Sequence, residues 1–415
     1  MKTIAIIDYT LDTNLFQQLL KSYSSILSSR NDLKLVLFTD KDRLEKNSEF
    51  RKLFYRIFEI ENFRQNAILE KSVIDYHHIE KIDFLFVPRE FDIIRGARLR
   101  EKLNIQGLTS FQAEAFRDKL VMKDLCRKAN IPLIPYMPIN DAVDLINAKE
   151  QFKLPMVLKP RTGAGEIGLT ILRTEEEYLN FLTQIYKNNF YDRSLGLLAE
   201  KYSSLKMWHL DGIVINGEIK FFLASEYVGP YPQNIPPWTQ YGISGSFMHE
   251  PESQLSLEAK DFLKKVFRAL PTPKNTTFHV EVWYDENNGF LLNEAAARTG
   301  GFLVHQMFAL SLGILPDAIW LAAEIGIEIP LVYQGCTRSI RIPWQQGTVK
   351  KICTSIEAEG VHGFKPMVKE GQVLGAWESW SQCLATAVLL GKNNSELDVI
   401  QKNLLKEFKE KTNIS

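Results

Sequence analysis

The 415-residue chain is short of cysteine, of net charge and of long apolar runs, and each shortage removes a class of protein. Its four cysteines, Cys126, Cys336, Cys353 and Cys383, are scattered with no Cys-x-x-Cys, which argues against a zinc site and a disulfide framework. They read as buried thiols of a cytoplasmic protein. Fifty basic residues balance fifty acidic ones, so no global field favours nucleic acid or an anionic membrane. No apolar run approaches the roughly 20 residues of a membrane span. The first residues, MKTIAIIDYT, have too short an apolar run for a signal peptide and are too acidic at Asp8. No glycine fingerprint follows the first strand, and no Gly-Lys-Ser/Thr occurs after any glycine loop, so a dinucleotide site there and a Walker loop are both excluded.

What is present is an ordinary globular composition, 45% apolar and 24% charged, in a chain long enough for two to four domains. Residues 1–112 read as α/β. Buried-strand runs at Thr3 to Ile7, Leu33 to Phe38 and Ile82 to Val87 alternate with helical patterns such as Asn14 to Ser25, which predicts a parallel sheet. Phe111 to Asn130 reads as one amphipathic helix ended by Ile131-Pro132. Residues 229–253 read as a surface excursion, 331–415 as a small α/β tail, and Trp377 and Trp380 as core of that tail.

Two motifs carry chemistry. In FHVEVWYDENNGFLLNEAAARTGG, Phe278 to Gly301, two strands flank Asn288-Gly289, a pair suited to a type I′ turn. A two-residue turn there sets Trp283 opposite Glu294, with Glu281 diagonal to it. A looser loop sets Glu281 and Glu294 face to face. In either register the two carboxylates share a face and reach one divalent ion. The second motif, LPMVLKPRTGAGEIGLTILR, has Gly163, Gly165 and Gly168 in G-x-G-x-x-G spacing. The β-branched Thr170-Ile171 after it indicates strand–turn–strand, a flap laid over phosphates, with Lys159 and Arg161 just upstream. A plain glycine-rich hairpin is the competing reading.

Taken in order, DKLVM, VLKPR-x-GAG, AEKY, WHLDG, FHVEVW and NEAAARTGG resemble the ATP-grasp superfamily, most of all its carboxylate–amine ligases, including the L-amino acid ligases. The resemblance spans roughly residues 110–330. It implies an N-terminal α/β domain (1–112), a small ATP-grasp lobe with the glycine flap (113–196), a large α+β lobe with the Mg²⁺ site (197–330) and a C-terminal lobe (331–415). It further implies that Lys119 and Lys159 serve as phosphate lysines. Arg161 and the flap glycines would lie on the nucleotide, and Glu200, Lys201 and Tyr202 would form the adenine hinge. Glu281 and Glu294 would be metal ligands for Mg²⁺, or Mn²⁺ in its place, and Arg298 the residue steadying an acyl phosphate. Gly300 and Gly301 would offer backbone N–H groups to an anion.

Two departures stand out. The usual second-site asparagine is Ala296 here, and the usual ribose glutamate is missing, leaving His209 or Asp211 as substitutes. Glu90, just past the third strand, is a candidate for a substrate amine, and His305 for substrate contact. His279 would either orient a metal carboxylate or serve as a structural histidine. The function implied is ATP-dependent joining of a small carboxylate, such as an amino acid, to an amine, without nucleic acid or membrane partners; the oligomeric state stays open, with a homodimer one option because dimers are common among similar ligases. A biotin-carboxylase-like carboxylase and a non-catalytic nucleotide-binding regulatory module are the alternatives.

Overall fold

The computed structural model describes residues 1–10, 13–27, 30–41, 49–165, 167–187, 195–229, 243–376 and 382–415. Residues 230–242 of the expected excursion, Glu166 of the glycine loop, and Trp377 and Trp380 lie outside the described residues.

Four strands, β1 Lys2–Ile7, β2 Leu33–Asp40, β3 Arg56–Ile60 and β4 Phe84–Phe86, make a parallel sheet in the order β3-β2-β1-β4. β1 is apolar on both faces because both faces are covered. Ile4 and Ile6 pack with Phe16, Leu19 and Leu20 of the helix Thr13–Leu27, while Ala5 and Ile7 join Val73, Tyr76 and Leu99 from helices on the other side. β3 was not legible in the sequence: it is an edge strand with only Ile60 fully buried. Asp8 follows the carboxyl end of β1, and Arg89 and Glu90 follow that of β4, where open α/β sheets place ligands.

The expected helix from Phe111 to Asn130 is two helices, Ser110–Ala115 and Lys119–Lys128. The break exists because Asp118 caps the second helix, accepting hydrogen bonds from the N–H groups of Leu120 at 2.9 Å and Val121 at 3.3 Å. It sets Lys119 in the first turn. A four-stranded antiparallel sheet follows, β5 Tyr136–Ile139, β6 Met156–Pro160, β7 Thr170–Leu172 and β8 Leu197–Lys201, in the order β5-β8-β6-β7. Its core packs Leu158 and Ala199 against Leu145, Ala148 and Tyr178 of two helices.

The largest sheet has eight strands, all antiparallel to their neighbours. They are β9 Lys206–Ile215, β10 Glu218–Val228, β11 Ser244–Met248, β12 Thr276–Asp285, β13 Gly289–Ala296 and β14 Cys336–Ile342, then β16 Val361–Pro366 and β18 Ala385–Gly391. A small sheet holds β15 Gly347–Lys351, β17 Val373–Leu374 and β19 Asn413–Ile414. In the large sheet the order is β13-β12-β9-β10-β11-β14-β18-β16. The segment 331–415, expected as a separate lobe, therefore supplies three strands to the same sheet, joined through β11 and β14. Phe278, Val280 and Val282 of β12 point into the core under the helix Gln254–Ala269, and the alternate residues His279 and Glu281 face a cavity. All four cysteines are buried and free. Among the described residues no single helix is long and apolar enough to cross a membrane.

Candidate active site

The two glutamates meet through a bulge. From Asp285↔Gly289 to Val282↔Leu292 the β12–β13 pairing runs in one register, then shifts by one residue so that Glu281 lies directly opposite Glu294. The expected two-residue Asn288-Gly289 turn is replaced by a three-residue connection, in which the Asp285 carboxylate accepts hydrogen bonds from the N–H groups of Asn287 at 2.8 Å and Asn288 at 2.9 Å. The extra residue of the bulge is Asn293. Its amide is brought into the site, where Nδ2 donates to Glu281 Oε2 at 3.1 Å and Oδ1 accepts from Lys159 Nζ at 3.1 Å. Sequence reading found no asparagine at Ala296, two positions after Glu294. The structure supplies one from the position before it. The signal was two polar residues in succession, Asn293-Glu294, where a regular strand alternates.

Two lysines approach these carboxylates from the other lobe. Lys119 Nζ lies 3.0 Å from Glu294 Oε1 and donates to the Gly163 carbonyl at 2.8 Å. Lys159, at the end of β6, lies 2.8 Å from Glu200 Oε2. The second oxygen of Glu200 is 2.9 Å from Lys123, a fully buried lysine one helical turn beyond Lys119. Burial would raise the Glu200 carboxyl, but Lys123 and Lys159 outweigh it and hold it at about 2. For Lys159 burial works downward, and Glu200, Glu294 and Glu281 together raise it. The Glu200 side chain is thus committed to two lysines instead of standing open to adenine. Lys201 and Tyr202 follow at the end of β8, outside the cavity lining.

The glycine loop joins β6 to β7 as strand–turn–strand, with Gly165 at φ +61° and Gly168 at φ +79°, conformations that favour glycine. Gly163 and Gly165 line the cavity, whereas Gly168 does not. Arg161 turns away from the nucleotide side: its guanidinium holds Asp118 at 2.5 Å, and its carbonyl accepts from the Lys119 N–H at 2.9 Å. It fixes Lys119 from behind.

Asp211 is also committed. Both its oxygens are taken by imidazoles, one by Nδ1 of His209 and the other by Nδ1 of His279 at 2.8 Å, so it does not stand in for a ribose ligand. Burial would lower His279, yet Asp211 raises it to about 9. Its Nε2 lies 3.6 Å from Glu281, and the Tyr227 hydroxyl is 3.3 Å from the same carboxylate oxygen. Burial would raise Glu281, but His279 and then Lys159 pull it down to about 2.

On the far side Glu90 bridges two arginines, Arg298 and Arg117, and Arg117 also donates to the Thr162 carbonyl at 2.6 Å. Burial alone would raise Glu90, but both arginines lower it. Thr299 and Arg89 hydrogen-bond Asp317, and Arg89 also holds Asp8 at 3.1 Å, tying the loop after Arg298 to the parallel sheet. His305 belongs to this buried network, 3.4 Å from Asp317, and does not line the cavity. Gly300 is likewise packed behind it. A Cβ there would lie 2.8 Å from Asp211, His279 and Val304, while Gly301 lines the wall.

These elements enclose one cavity of about 370 Å³. Val157, Leu169 and Met207 give it an apolar slot beside Lys159. Lys119, Glu281, Asn293 and Glu294 form its polar floor, and Arg298 and Gly301 lie beyond. Two facing carboxylates and an amide oxygen are hard donors suited to Mg²⁺.

Two lobes gripping such a slot, with lysines from one and carboxylates from the other, define the ATP-grasp fold. No protein-family model matches the chain. It is 23% identical over 357 residues to an L-arginine-specific L-amino acid ligase of Bacillus subtilis, covering 82% of this chain and 83% of that protein. It is 26% identical over 188 residues to a D-alanine–D-alanine ligase of Campylobacter jejuni, covering 44% of this chain and 52% of that one. The crystal structure of an L-amino acid ligase from Bacillus licheniformis superposes with a TM-score of 0.75 at 17% identity, covering 100% of this chain and 98% of that chain. The fold is that of the ATP-grasp ligases, and in sequence the chain is similar to an L-amino acid ligase over most of its length.

Proposed function

We propose that the protein joins the carboxylate of one amino acid to the amino group of another through an acyl phosphate, releasing ADP and phosphate. The observation that carries this is the facing pair Glu281 and Glu294, with Lys119, Lys159 and Arg298 around the same cavity. Glu281 and Glu294, assisted by Asn293, would hold Mg²⁺, which supplies positive charge to the phosphates. Lys119 and Lys159 bind phosphate oxygens as point charges, and the apolar slot takes the base. Arg298 and Arg117 carry two positive charges against one on Glu90, which leaves a net positive charge for the acyl phosphate and the tetrahedral intermediate. Glu90, with one oxygen on each arginine and outside the cavity lining, is the counter-charge that positions them and is not open to a substrate ammonium. The flap from Thr162 to Gly168 excludes water, which would otherwise hydrolyse the acyl phosphate.

ADP release is measured with Mg-ATP and pairs of amino acids, headed by L-arginine, the substrate in the name of the B. subtilis relative. Release that requires two amino acids and yields a dipeptide is expected. Release that requires bicarbonate instead would point to carboxylase chemistry and overturn the reading.

A further inference from the structure

The far end of the cavity has a wall that the ATP-side residues leave unused. It comes from β11 and β14, where Ser244 pairs with Arg341 and Ser246 with Ser339. All four line the cavity. Because they alternate along paired strands, their side chains share one face. Arg341 is 7% exposed, and its guanidinium lies 5.8 Å from the centre of the Phe302 ring, in the loop after Gly301. The Ser339 hydroxyl oxygen accepts the Ser246 N–H at 2.8 Å, which leaves its own hydrogen to donate. The Ser244 hydroxyl is buried with no hydrogen-bond partner among the described residues. A buried hydroxyl without a partner among the described residues, beside a buried guanidinium on the same cavity wall, makes a site that fits an anion.

We propose that Arg341, with Ser244 and Ser339, binds the α-carboxylate of the acceptor amino acid. This rests on the ligase reading above. A ligase of that kind meets two carboxylates, one activated beside the metal and Arg298 and one left unreacted. Glu281 and Glu294 repel a free carboxylate from the metal end, and the planar fork of Arg341 matches one at the other end. β14 is four strands from β12 in the sheet, about 19 Å at the usual strand spacing. The long arginine side chain closes part of that span and leaves room for an amino acid whose amine faces the acyl phosphate. Phe302 bounds the guanidinium on one side and limits what enters.

The test uses an amino acid pair that supports ADP release and compares the acceptor with its α-amide, in wild type and in Arg341→Met and Arg341→Lys. Losing a charge-assisted hydrogen bond predicts that Arg341→Met raises the acceptor KM about 10- to 100-fold. The KM for ATP and for the amide acceptor stays unchanged, and Arg341→Lys falls between. An unchanged acceptor KM, or equal increases for acid and amide, overturns the subsite while leaving the ligase reading intact. Absence of amino-acid-dependent ADP release in wild type overturns the ligase reading and this subsite with it.

Discussion

Glu281 and Glu294 face one another across paired strands, and like charges so placed destabilise a sheet unless cations lie between or beside them. Lys119, Lys159 and the bulged Asn293 answer that charge in the protein alone, and Mg²⁺ would answer it in the working complex. Glu294→Gln therefore abolishes ligation and weakens Mg²⁺ binding. Arg298→Ala leaves nucleotide affinity near wild type and lowers kcat about 10²- to 10³-fold, the cost of removing one group aimed at developing charge. Calorimetric titration of Mg-ATP beside steady-state rates separates the two, and a loss of ATP affinity in Arg298→Ala as large as in Lys159→Ala contradicts the role given to Arg298. His279 acts one step back. Held by Asp211, it orients Glu281, so His279→Phe weakens Mg²⁺ binding about 10- to 100-fold while metal-free ATP binding is kept. Equal losses with and without metal would assign His279 to packing instead.

The flap is the element whose geometry depends most on particular residues. Gly168 has φ +79°, and a Cβ there would lie 2.8 Å from the Pro160 ring. Gly168→Ala strains the turn by about 1 kcal/mol or more and raises the KM for ATP, with little change at Gly165, where a Cβ meets nothing within 4 Å although its φ of +61° is also strained. A larger effect at Gly165 than at Gly168 would show that backbone conformation, not the contact with Pro160, controls the flap.

Elements were legible where pattern and packing agree. The alternation of Phe278, Val280 and Val282 with His279 and Glu281 is one case, and the Asn216-Gly217 turn between β9 and β10 is another. They were hidden where a single side chain overrides the pattern. Asp118 divides a continuous amphipathic helix, and Asn293 shifts a hairpin register by one. The lysines, glutamates and Arg298 were readable as ordered motifs. The partners that hold Arg161, Glu200 and Asp211 were not, because each of these residues is held by one from an element far away in the chain.

At the scale of the molecule, buried carboxylates set the acid limit of stability. Glu200 joins β8 to β6 and to the Lys119–Lys128 helix, and Glu281 lies beside His279 on the same strand. Both are held at about 2, against 4.5 for the ordinary group. A depressed carboxyl contributes stability that is fully present above the unfolded value and lost as pH falls through the folded one. Urea midpoints at constant salt should therefore fall steadily from about pH 5 toward pH 2. In Glu200→Gln the midpoint at pH 7 drops, because Lys123 and Lys159 lose a buried partner, at a cost of about 3–5 kcal/mol. Its acid limb is shallower than that of wild type. An acid limb unchanged by this substitution would remove Glu200 from the account.

One experiment reaches the centre of the whole reading: turnover of an amino acid carrying ¹⁸O in its carboxylate. Transfer through an acyl phosphate places one ¹⁸O in the released inorganic phosphate, with ADP as the other product. Label found in AMP, or phosphate free of ¹⁸O during dipeptide formation, would contradict it.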